Sequence, residues 1–134
     1  MFKIAPIQNP EMQAHCATLC GVLARDGYFA YSMTDSESCA LMGFSQFEIR
    51  DGEGYISDLL PTPEYKDDFE AMFILGRQTM NFIDLCGVHT AKASATAGDE
   101  RLIKAIGFKP LNGEYFCDMT GFFDGHCDGT SKNG

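Results

Sequence analysis

Nowhere in the 134 residues does an apolar run approach the roughly 20 residues that span a bilayer, so no membrane span is expected. The opening MFKIAPIQNP has no long apolar core behind its lysine, and it does not read as a secretory signal. Basic residues are scarce, with 10 Lys and Arg against 19 Asp and Glu and a net charge of −9. Lys and Arg form no cluster or stripe, which argues against a nucleic-acid partner and against an anionic membrane surface. Repeats and linkers are missing too. The length suits one domain, expected over residues 1–124, followed by a polar, Gly-rich tail at 125–134.

The chain carries 45% hydrophobic and 22% charged residues, as an ordinary globular domain does. Six cysteines are many for this length, yet without an export signal they read mostly as small buried hydrophobes in a reducing cytoplasm. Cys20, Cys39, Cys86 and Cys117 all lie in or beside apolar runs.

Residues Phe2 to Ile7 read as a strand. Asn9-Pro10 is an N-cap with Pro at the first helical position. The helix it opens is expected to run to Asp26-Gly27, with Met12, Cys16, Leu19 and Leu23 on one apolar face. Three strands follow at Tyr28 to Met33, Cys39 to Ile49 and Gly54 to Leu60, joined by polar turns that suggest an antiparallel meander. Pro61-Thr62-Pro63 breaks the sheet. A long helix over 67–87 buries Phe69, Met72, Phe73, Gly76, Met80 and Ile83, and ends at Gly87. Val88 to Ala95 alternates as a fifth strand, GDERLIKAIGF is a short helix, and Phe116 to Phe123 is a last strand after the Asn112-Gly113 turn. A helical crossover requires the fourth and fifth strands to run parallel. The expected class is therefore α/β, with a mixed, mostly antiparallel sheet and helices on both faces.

Two stretches carry a family resemblance. GYISDLLPTPEYKDDFEAMFILGRQTMNFIDLCGV is similar to the fourth strand, turn and long helix of the GNAT superfamily of acetyl-CoA-dependent N-acetyltransferases. LIKAIGFKP resembles that family's short helix ending in Gly-Phe, here Gly107-Phe108. The resemblance implies a sheet whose fourth and fifth strands splay around an acetyl-CoA thioester. It also implies a pyrophosphate held at the start of the long helix by a loop reading Gln/Arg-x-x-Gly-x-Gly/Ala. A backbone N–H near Leu59 or Leu60 would support the oxyanion, with Leu60 the candidate on the catalytic side and Leu59 a cofactor contact. The other cofactor contacts implied are Lys66, Asp67, Asp68, Phe69, Glu70 and Ala71.

In this alignment Lys66 takes the Gln/Arg position and Ala71 the last loop position. Phe69 stands where the family has its first glycine, and Asp67 and Asp68 add negative charge where an anion would dock. Ile103 replaces the tyrosine that commonly protonates the leaving thiolate. Asp58, Glu53 and Glu48 are candidate bases for an amine proton, or solvated strand ends. Tyr55 either lines the cleft or is a half-buried strand tyrosine, and His89 is either a base or a satisfied strand histidine. His15 with Cys16 and Cys20, and His126-Cys127, lack the paired spacing of a metal site, so none is expected. Two functions follow: acyl transfer from acyl-CoA to a small-molecule or peptide amine with a degenerate, weakly active loop, or a non-catalytic binding or regulatory module. Edge pairing of the last strand would support a homodimer.

Overall fold

A computed structural model describes residues 1–123. Its elements in chain order are β1 (Phe2–Pro6), α1 (Pro10–Leu19), β2 (Phe29–Asp35), β3 (Leu41–Arg50) and β4 (Glu53–Pro61). A 3-10 turn (Pro63–Tyr65) leads into α2 (Phe69–Leu85), then β5 (Thr90–Ala93), α3 (Glu100–Ala105), β6 (Lys109–Leu111) and β7 (Glu114–Asp118). Each α-helix opens on a side chain that accepts a first-turn N–H. Asn9 takes that of Met12, Asp68 that of Ala71 and Asp99 that of Leu102.

The seven strands form one sheet in the order β1-β2-β3-β4-β5-β7-β6. Only the β4–β5 pair is parallel, because α2 carries the chain back across the sheet between them. Asp51-Gly52 and Asn112-Gly113 take positive φ at both turn centres, the geometry that two-residue hairpins require.

Both faces of the sheet are covered. On one, α2 buries Met72, Leu75, Gly76, Thr79, Met80 and Ile83. It lies close because Gly43 and Gly54 present no Cβ; one added there would meet the Met72 and Ile83 side chains. The Ser45 and Thr79 hydroxyls satisfy each other across this interface. α3 packs Ile103, and its C-cap Ile106, into the same cluster. On the other face α1 contributes only Cys16 and Ala17, against Ala30 and Phe44. At about 1.5–3 kcal/mol for each large apolar side chain buried, α2 is fixed far more firmly than α1.

Several boundaries differ from those read in the sequence. α1 stops at Leu19 instead of continuing to residue 26, since Gly21 turns with φ +80°. Met12 and Leu19 within α1 and Leu23 beyond it are exposed and form no buried stripe. Phe69 and Phe73 are only half-buried. His89 precedes β5 and is not part of it, and Phe116 to Phe123 is not one strand. That region is instead the hairpin β6–β7 about Asn112-Gly113, with Pro110 tolerated on the outer strand. Cys39 and Cys86 are exposed and so are not core residues. Cys39 occupies a tight turn at φ +64°, and Cys86 caps the end of α2. The expected tail at 125–134 lies outside the described residues.

Candidate cofactor and transfer site

β4 carries a bulge. Gln46 pairs with Asp58 but Phe47 pairs with Ile56, so Ser57 is an extra residue. Before the bulge Ile56 faces β5, and its carbonyl accepts from Ser94 N–H at 3.0 Å. Strict alternation would next aim Asp58 at β5; the extra residue passes that position to Leu59. The parallel ladder ends at Ile56 and Ala93, while β4 runs on to Pro61. Leu59 N–H therefore points into the gap beyond the ladder. There it donates to the carbonyl of Ala97 at 2.7 Å, and Leu59 itself is fully buried.

Leu60 is turned the other way. Thr62 N–H donates to Met42 O at 3.0 Å. By the alternation of an antiparallel ladder, Leu60, opposite Phe44, likewise directs its N–H at β3. The backbone donor near the gap is thus that of Leu59. Pro61, the next residue on that side, has no N–H.

At the start of α2 most backbone donors are engaged within the chain. Tyr65 donates to Thr62 O, Lys66 to Pro63 O, Asp68 to Tyr65 O, Phe69 to Asp67 O and Met72 to Asp68 O. Ala71 N–H goes to the Asp68 carboxylate at 3.1 Å. That carboxylate holds the position an external anion takes at a helix N-terminus. The Phe69 ring lies beneath the Arg101 guanidinium, whose carbon is 4.2 Å from the ring centroid. Between these groups and the end of β4 is a cavity of about 310 Å³ lined by Leu59, Pro61, Lys66, Phe69, Met72 and Arg101, with Asp67 and Asp99 also at its wall. Lys66, Asp67, Asp68 and Glu70 are exposed, and Ala71 is buried under the first turn.

The candidate bases do not converge on the gap. Asp58 is buried on the α1 face, where one carboxylate oxygen accepts from Arg25 Nε at 2.7 Å and from Gln46 Nε2 at 2.8 Å. Arg25 also donates its backbone N–H to Gln46 Oε1, and Gln13 Nε2 donates to the same oxygen. This cluster ties the 20–28 segment to the sheet. The Asp58 hydrogen bond holds the Arg25 guanidinium above its ordinary value. Asp58 is thereby committed to an ion pair and does not face the gap as a base. Glu53 begins β4 and pairs with Lys92 at 3.7 Å. Six residues of strand place it about 20 Å from Leu59, too far to act there.

Glu48 accepts from Tyr28 and pairs with Arg50 at 3.2 Å. Tyr55 donates to Glu114 at 2.9 Å, and burial first, then that carboxylate, raises its hydroxyl pKa. His89 Nδ1 lies 2.6 Å from Asp84 and is exposed at the far end of α2. Ile103 is fully buried in the α3 packing. Among the described residues no three His, Cys, Asp or Glu side chains gather as metal ligands, and His126 and Cys127 lie outside those residues. No helix of the described residues is long and apolar enough to cross a membrane.

Reading the sequence missed Ala97, Gly98, Arg101, Arg25 and Gln46. The one local signal was Gly98, a glycine between a strand and a helix N-cap, where close backbone approach is common. A Cβ on it would collide with the Leu59 carbonyl oxygen.

No protein-family model matches the sequence, and no curated protein matches it. Solved structures do resemble the fold. The ribosomal-protein-S18-alanine N-acetyltransferase of Escherichia coli superposes with TM-score 0.62 at 14% identity, over 87% of this chain and 90% of that one. Escherichia coli YhhK bound to coenzyme A gives TM-score 0.64 at 14% identity, over 88% and 98%. A chimera of the spermidine N-acetyltransferase SpeG of Vibrio cholerae with hSSAT gives 0.66 at 12% identity, over 92% and 98%.

Proposed function

We propose that this chain, which has the GNAT N-acetyltransferase fold, is an acetyltransferase-like protein in which acetyl-CoA no longer docks in the family's manner, and that it serves as a non-catalytic binding module. The start of α2 carries this reading. Its Asp68 carboxylate already sits on the Ala71 N–H, and Phe69 places a ring where a backbone must lie open to phosphates. The residues present do not fit a pyrophosphate at that helix end. A proline at position 61 and an isoleucine at 103 point the same way: the first offers no N–H to a pantetheine arm, the second no proton to a thiolate.

A second reading is supported by the cavity at the same place. Lys66 and Arg101 supply cationic groups at its wall, and its apolar floor suits a thioester arm. Under this reading the chain transfers an acyl group from acyl-CoA to a small or peptide amine, through a loop altered from the family pattern.

A thermal-shift titration of the reduced protein with acetyl-CoA and with coenzyme A separates the two. Ligand at a hundred times its dissociation constant stabilises by about 2.7 kcal/mol, roughly 10 °C for a domain of this size. The binding-module reading expects no shift at millimolar ligand. A saturable shift overturns it in favour of the transferase.

A further inference from the structure

We infer that the segment Ser94–Gly98 is an autoinhibitory strap: its Ala97 carbonyl occupies, on the Leu59 N–H, the place of an acyl oxygen. The inference rests on the proposal above that acetyl-CoA no longer docks here, and says what fills the gap beside β4.

A parallel pair that ends early leaves β4 donors without a strand partner, and a buried N–H without an acceptor is costly. Here the chain beyond β5 folds back to meet that need. Ala97 N–H donates to Ser94 O at 3.0 Å and Thr96 N–H to Ser94 Oγ at 3.2 Å, closing a tight turn. The turn delivers Ala97 O to within 2.7 Å of Leu59 N. That is the distance at which a backbone donor stabilises a developing oxyanion, so strap and thioester compete for one N–H.

The strap seats only because residue 98 has no side chain to strike the Leu59 carbonyl. Only part of the strap is packed into the core. Ala97 is fully buried, but Ala95 is exposed, and Asp99 just beyond the strap is exposed too. Two backbone bonds link β4 to this segment, Ser94 N–H to Ile56 O at its root and Leu59 N–H to Ala97 O at its far end.

Gly98→Ala tests it. The added Cβ must push the strap from Leu59. The probe is S-acetyl-N-acetylcysteamine, a thioester without phosphates, so the α2 N-terminus does not enter. In the folded variant, amide exchange at Leu59 is expected to speed at least tenfold, and its NMR resonance to move saturably with the thioester. The wild type should do neither. A Leu59 amide that stays protected in folded Gly98→Ala, or one that is freed yet ignores the thioester, overturns the strap. If Gly98→Ala does not fold, Ala97→Gly removes the buried methyl without a clash and is read in the same way. The two readings fail differently. Wild-type protein stabilised by acetyl-CoA sinks the binding-module function, whereas a silent wild type with a silent variant sinks only the strap.

Discussion

Replacing Asp67 and Asp68 together by asparagine separates charge from shape at the start of α2. Asparagine caps a helix about as well as aspartate, so the bond to Ala71 N–H at 3.1 Å survives and stability should move by less than about 0.5 kcal/mol. Two negative charges disappear from the approach to the helix end. At about 4 Å in water each opposes one phosphate charge by about 1 kcal/mol, and both side chains are exposed enough for that water value to apply. Together they amount to about 2 kcal/mol, about 30-fold in dissociation constant. Calorimetric titration with coenzyme A at low salt should show the variant binding tighter than wild type by that order. The gain should collapse near 1 M salt, where the screening length is about 3 Å. Unchanged affinity at low salt, or a gain indifferent to salt, would refute the argument that these carboxylates repel the ligand and would leave Phe69 as the obstacle.

Asp58→Ala should destabilise by about 2–3 kcal/mol in urea melts, because Gln46 Nε2 and Arg25 Nε lose their shared acceptor. The Arg25 side chain is 44% exposed, which keeps the loss below that of a wholly buried pair. Proteolysis should then begin within residues 20–28; a cut elsewhere first would count against the cluster's anchoring role. Iodoacetamide at pH 8 should modify the exposed Cys39 and Cys86 well before Cys20 and Cys117, as peptide mass spectrometry can tell. Burial first, then the neighbouring Cys16 and Asp58, pushes the Cys20 thiol from 9.0 up to about 12, and burial raises Cys117 to about 11. The folded state thus holds these protons more tightly than the unfolded chain. Their contribution to stability is complete below about pH 9 and fades as pH climbs toward 12, so denaturant midpoints should fall across that window. A flat alkaline profile would contradict it.

The sequence made the element order legible because two periodicities were strong. The 3.6-residue spacing of Met72, Gly76, Met80 and Ile83 marks α2, a 17-residue helix that returns the chain along the sheet so that β5 pairs parallel to β4; the shorter α1 also joins two strands, yet β1 and β2 pair antiparallel. Three features were hidden for physical reasons. The apolar spacing of Leu19 and Leu23 continues past the point where Gly21 ends α1, and the 20–28 segment is held instead by hydrogen bonds with Gln46 and Asp58, 21 to 33 positions away. β6 is three exposed residues containing a proline, and only its partner β7 defines it as a strand. The bulge at Ser57 has no signature in GYISDLL, so spacing alone could not choose between the N–H groups of Leu59 and Leu60. The phenylalanine at 69, where the resembled family has a glycine, is visible in the sequence, whereas the return of Ala97 to β4 depends on contacts remote in sequence.

The Gln46–Asp58 pair sits at the step where the β3–β4 register shifts. Apolar side chains would tolerate a slip of one residue there, since Leu59 and Leu60 are interchangeable in size and oiliness. A carboxylate is not. Sliding β4 by one position would carry Asp58 under α2, among Leu75, Met80 and Ile83, with neither Arg25 nor Gln46 in reach. The buried polar pair thus acts as a key cut for one alignment of the two strands. It decides which peptide group looks out of the sheet toward β5, and it does so from the opposite face, without touching whatever that peptide group meets.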